Sequence, residues 1–126
     1  MSRKLTRKGL VKKVDTVFQT WARKSAIKRF NNICPFCRKR PIENAFHWIT
    51  RSDYPTRWDP DNITGSCVAC NFDMEAHPLD YYQKYELWHG KERLEALRMK
   101  AKGIAKYSNE ELEALYNTYK ELLEKL

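Results

Sequence analysis

Apolar residues return at Val14, Val17, Phe18 and Trp21, the i, i+3, i+4, i+7 spacing of one helix face. The pattern predicts a helix running to about Lys28 behind a basic arm of about ten residues, with Lys12, Lys13, Arg23 and Lys24 at its ends and flanks. From Asn31 to Asn71 that period is lost. Pro41, Asn44, Ser52, Asp53, Pro55, Pro60, Asp61, Asn62 and Gly65 punctuate short apolar pieces such as Phe46-His47-Trp48-Ile49, which predicts a hairpin and loops. Helix resumes near Asn71. Pro78 is suited to open a further helix with Leu79, Tyr82 and Tyr85 inward, and Lys91 to about Lys102 is strongly helix-forming, with Gly103 as a terminal cap. Ser108 with Glu111 forms a capping box ahead of a last helix striped by Leu112, Leu115, Tyr119, Leu122 and Leu126.

No repeat or long linker divides these elements, and 126 residues suit a single α+β, mostly helical domain. Its expected parts are a basic arm and helix over 1–30, a cysteine-bounded core over 31–77 and C-terminal helices over 78–126. No apolar run approaches the roughly 20 residues of a membrane span. Met1, Ser2, Arg3 and Lys4 lead into no apolar leader core, so a cytoplasmic protein is expected. Four cysteines in such a chain are expected to stay reduced, which favours metal ligation over disulfides.

The net charge of +8 is concentrated near the N-terminus. Arg3, Lys4, Arg7, Lys8, Lys12, Lys13, Arg23, Lys24, Lys28, Arg29, Arg38, Lys39 and Arg40 face one acid, Asp15, before Glu43. Such a block suits a polyanion, because each phosphate contact releases counterions. Nucleic acid is favoured over an anionic membrane surface or a merely solvated face, with Arg3, Lys4, Arg7, Lys8, Lys12 and Lys13 as the expected nucleic-acid contacts.

Cys34-Pro35-Phe36-Cys37 and Cys67-Val68-Ala69-Cys70 are two CxxC knuckles. The two-residue gap lets both thiolates of a knuckle face one ion, and two knuckles complete the closed tetrahedral shell of structural Zn2+. A thioredoxin-like redox pair is the weaker reading, since neither motif follows a strand in a βαβ pattern. Between the knuckles lie His47, in its apolar strand-like piece, and Asn62, after the Asp59-Pro60-Asp61 turn; Asn71 follows the last cysteine. Trp48 and Trp58 are expected to pack the small hairpin.

The order C-x2-C, His47, Asn62, C-x2-C-Asn71 resembles the cysteine-containing branch of the HNH, or ββα-metal, endonucleases. His47-Trp48-Ile49-Thr50-Arg51, Thr56-Arg57-Trp58-Asp59-Pro60-Asp61-Asn62, Cys67-Val68-Ala69-Cys70-Asn71, the Tyr81-Tyr82 pair, Gly90-x-Glu92-x-Leu94-x-x-Leu97 and Tyr107-x-x-Glu110-Glu111-Leu112 are similar to the phage NinG (Rap) recombination family. The likeness covers most of the chain.

That resemblance implies a zinc-stapled ββα-metal core flanked by N- and C-terminal helices, acting on DNA in phage recombination inside a bacterial host. His47 would be the general base, Asn62 would hold its loop, and Asn71 would bind a catalytic Mg2+ or Mn2+. Many relatives of this type carry a metal ligand immediately before the base; here that position is Phe46. A second ligand must come from elsewhere, with His77 the first choice and Asp73 or Glu75 the fallback. Arg51 and Arg57 flank the hairpin and could grip phosphate. The implied substrates are branched intermediates such as Holliday junctions and displacement loops. Paired cuts at a junction would ask for two active sites, hence a homodimer through the N- or C-terminal helix. The rival readings are a non-catalytic zinc module that binds nucleic acid and, behind it, a purely structural interaction protein.

Overall fold

The computed structural model describes residues 6–126. Helix α1 (Arg7–Arg29) opens on Thr6, whose side chain accepts a hydrogen bond from the Gly9 N–H at 3.1 Å. The helix therefore begins inside the expected ten-residue arm, at Arg7. Leu10, one turn before Val14, is buried and carries the apolar stripe back toward the cap. Arg7, Lys8, Lys12 and Lys13 ride on this helix, whereas Arg3 and Lys4 lie outside the described residues.

Strands β1 (Asn44–His47) and β2 (Ile63–Ser66) pair antiparallel, with Phe46 opposite Thr64 and His47 opposite Ile63. A short helix α2 (Tyr54–Arg57) and a 3-10 turn (Pro60–Asn62) occupy the long connection between them. Helices α3 (Val68–Ala76), α4 (Pro78–His89), α5 (Lys91–Ala101) and α6 (Asn109–Glu124) follow. The described residues are mostly helical with one small sheet, and no helix among them is long and apolar enough to cross a membrane.

Side-chain alternation along β1 sends Phe46 and His47 to opposite faces, and a separate core grows on each. Phe46 joins Cys34, Phe36, Trp48, Cys67, Cys70, Tyr81, Tyr85, Leu94 and Leu97. Ile63 and Trp58 pack with the α1 stripe and with Leu112 and Tyr119 of α6. Trp48 and Trp58 are packing residues, 2% and 4% exposed.

Helices α1 and α6 lie parallel. Arg7 donates to Asn109 at their beginnings, Phe18 meets Tyr119 edge-on at 4.7 Å in the middle, and Lys28 reaches the Leu126 carbonyl at their ends. Their apolar faces, expected as surfaces for a second subunit, thus cover one another within one chain.

Two expectations shift by part of a turn. Tyr81 and Tyr85 form the inward row of α4, with Tyr82 half-buried, while Leu79 points to solvent. Proline at the first position fixes where α4 starts, and counting i, i+4 from Tyr81 selects the tyrosines that face the knuckles. On α6 the capping box forms as expected, but Leu123 packs inward while Leu122 and Leu126 are exposed. Gly65 is a mid-strand residue rather than a turn-former. A Cβ there would lie 2.6 Å from the Ala26 Cβ and 2.8 Å from the Ile42 Cγ2, so its missing side chain lets β2 sit directly against α1.

Candidate metal centre and adjoining cleft

The knuckles meet because each cysteine pair is fixed by its own backbone turn. Arg38 adopts a left-handed conformation (φ 57°), and its N–H donates to the Cys34 carbonyl at 2.8 Å. Cys34 in turn donates to the Arg40 carbonyl at 2.8 Å. In the second knuckle Cys67 is the N-cap of α3, and its Sγ accepts from the Cys70 N–H at 3.3 Å.

All four Sγ atoms lie within 4.8 Å of one another, and those of Cys37 and Cys67 are 3.8 Å apart. Four thiolates about 2.3 Å from a zinc ion in a tetrahedron would be separated by about 3.8 Å. The cluster therefore fits one ion in a closed four-sulfur site. Burial pushes the Cys34 and Cys70 thiols up. At Cys37 burial is outweighed by the backbone N–H groups of Arg40 and Lys39 and by neighbouring thiols, and the pKa falls to about 6.

On the side of the hairpin facing α1, a cleft of about 740 Å3 opens between α1, the end of β1 and α3. His47, Arg51, Asn71 and Glu75 line it, together with Gln19 and Asp53. Asn71 and Glu75 are i and i+4 on α3, so the helix presents both side chains to one side. The His47 ring lies 6.4 Å from that of Phe18. Burial lowers the imidazole below its usual pKa, with Arg51 and Arg57 adding to the effect and a hydrogen bond with the Arg57 backbone and the Asp15 charge opposing it.

Asn62 is fully buried and staples the loop that follows β1. Its Oδ1 accepts from the Ile49 N–H at 2.7 Å, and its Nδ2 donates to the Ile49 and Thr56 carbonyls at 2.9 and 3.0 Å. Every polar atom of that amide is engaged.

Two sequence candidates lie apart from the cleft. His77 caps α3 on another face of the helix, where its Nδ1 lies 2.9 Å from Asp73 Oδ1. The Tyr81 hydroxyl also donates to Asp73, at 2.9 Å, and with His77 holds that carboxyl below its usual range. Glu75, the fallback, is the one acid of α3 that lines the cleft. Arg57 is occupied elsewhere: Nε and Nη2 form a bidentate pair with Asp15 at 3.0 and 2.6 Å, Nη1 donates to the Arg51 carbonyl, and the side chain is 14% exposed. Asp15 also accepts from Trp58 Nε1 at 2.9 Å. The lone acid in the basic segment is thus the anchor that ties α1 to the hairpin loop, and its isolation among cations was the available sequence signal. Arg51 stays exposed at the cleft, without an acidic partner among the described residues.

Gln19 and Asp53 were not anticipated as cleft residues. They arrive from α1 and from the loop, so only the packing of separate segments brings them in. Comparison of the chain with protein-family models, curated proteins and solved structures finds no match.

Proposed function

We propose that this protein is a metal-dependent DNA endonuclease of the HNH type, with a structural Zn2+ on Cys34, Cys37, Cys67 and Cys70. The observation that carries the reading is one cleft lined by His47, Asn71 and Glu75, backed by the four-cysteine cluster. The hairpin leading into α3 and the engagement of Asn62 agree with the resemblance drawn from the sequence.

In this mechanism Asn71 and Glu75 would hold the catalytic cation, with Glu75 in place of His77 as the second ligand. A Mg2+ or Mn2+ held there would supply Lewis acidity at the scissile phosphate. His47, kept neutral by its partly buried setting, accepts a proton as the water oxygen bonds to phosphorus and the bond to the leaving oxygen breaks. Arg51 draws a phosphate toward the cleft, and Asn62 fixes the loop between them. The leaving oxygen takes a proton from solvent water, and the products are one phosphate monoester end and one hydroxyl end. Branched recombination DNA is the proposed substrate, on the strength of the family resemblance.

The test incubates zinc-loaded protein with supercoiled plasmid and with a synthetic four-way junction, with Mg2+ or Mn2+ and with chelator. Metal-dependent nicking or resolution that His47→Ala lowers by about 10²-fold or more supports the enzyme. Junction binding without cleavage under every condition refutes it in favour of a non-catalytic zinc module.

A further inference from the structure

Behind the hairpin lies a second cavity of about 670 Å3, assembled from the end of α1, the first knuckle, β2 and the junction of α4 with α5. Trp48 lines both this cavity and the cleft, so the two adjoin at that residue. The size suits a small organic ligand.

Its walls divide by chemistry. Phe30 and Trp88 contribute half-buried rings, and the Trp88 ring is braced by Phe36 at 5.3 Å and Trp48 at 6.1 Å. At the rim stand Arg29 and Arg38, both exposed and neither with an acidic partner among the described residues. Arg93, by contrast, is paired with Asp61. His89 also lines the space, held neutral by burial and by the charges of Arg93 and Arg29. An aromatic wall beside two uncompensated guanidinium groups matches a planar ring that carries an anion.

We propose that this cavity binds a nucleotide, its base against Trp88 and Phe30 and its phosphate between Arg29 and Arg38. Stacking is tolerant of base identity, and guanidinium groups favour phosphate through paired N–H donors. The ligand is either a free nucleotide or an unpaired nucleotide of a nucleic-acid strand. Neither case depends on the cleft being catalytic.

The experiment titrates zinc-loaded 15N-labelled protein with thymidine 5′-monophosphate, a thymidine tetranucleotide and inorganic phosphate. The Trp88 indole and the backbone amides of Phe30 and Arg38 should shift with both nucleotides, while the amides of His47 and Asn71 shift less. The exposed double variant Arg29→Ala with Arg38→Ala should retain zinc and helicity and weaken both nucleotides by about tenfold or more. His47→Ala should bind both as the wild type does. A tetranucleotide bound more tightly than the monophosphate assigns an unpaired strand, and equal affinities assign the free nucleotide. The proposal is overturned if neither nucleotide shifts these signals. It is equally overturned if inorganic phosphate shifts them with the same affinity, or if the arginine variant binds unchanged.

Discussion

The two faces of one short hairpin support two differently built cores. On the Phe46 side, aromatic rings surround four sulfurs, and the segments supplying them are short turns and helix ends. On the opposite side, α1 and α6 lay long apolar stripes against each other and against Ile63 and Trp58. The second core can be held by burial alone. The first needs its thiols brought together, because two isolated knuckles bury too little to fix their own geometry. Stability should therefore respond to metal on one face and to packing on the other.

The largest effect should come from removing the ion. Cys37→Ser, or exhaustive chelation, is expected to unfold the Phe46 side outright, since structural zinc is worth about 10 kcal/mol or more to small sites. Metal content and near-UV circular dichroism of the aromatic cluster provide the measurement. A zinc-free protein with an intact aromatic signal would remove the distinction between the two cores.

Phe18→Ala probes the other side. Phe18 is fully buried against Tyr119 and Trp21, so its loss should cost about 3–5 kcal/mol in urea unfolding. Zinc stoichiometry should stay at one per chain. Next in size is Asp15→Asn, which leaves the Arg57 guanidinium without its charged partner and should cost about 2 kcal/mol. Arg51→Ala should leave stability nearly unchanged while weakening DNA binding, and the contrast separates the anchored arginine from the free one.

The smallest effect concerns pH. Burial lowers the folded-state pKa of His47 below its unfolded value, so the unfolded chain binds the proton more readily. Its contribution to stability is complete above the unfolded value and declines as pH falls below about 6.5. Under the nuclease reading, the acidic limb of the cleavage profile should also lie below that value. His47→Gln should remove the stability component while the response to zinc persists, measured by urea midpoints across pH 5 to 8.

Much of this was legible where the rule is local. The CxxC spacing placed the sulfurs, Ser108 with Glu111 placed the start of α6, and Val14, Val17 and Phe18 identified the inner face of α1. What escaped was phase. Cys67 acts as the N-cap, so α3 begins at Val68, and i, i+4 counting from Asn71 reaches Glu75 while Asp73 and His77 share another face. Which of these side chains lines the cleft depends on where α3 starts and on how α1 and β1 pack beside it. Arg57 could not be separated from Arg51 without knowing that Asp15 crosses to the loop. Gly65 likewise reads as a turn residue until α1 is seen pressing on β2.

The parallel union of α1 with α6 also bears on how the chain reaches this state. Its partners are distant in sequence: Arg7 and Asn109 are 102 positions apart. Closing so long a loop carries an entropic cost before the contacts can repay it, and such non-local pairings slow folding. During synthesis, the stripe of Leu10, Val14 and Phe18 leaves the ribosome well before Leu112 and Tyr119, which complete its cover. Through that interval the like charges of the basic residues on the remaining surface of α1 should oppose self-association of the uncovered stripe.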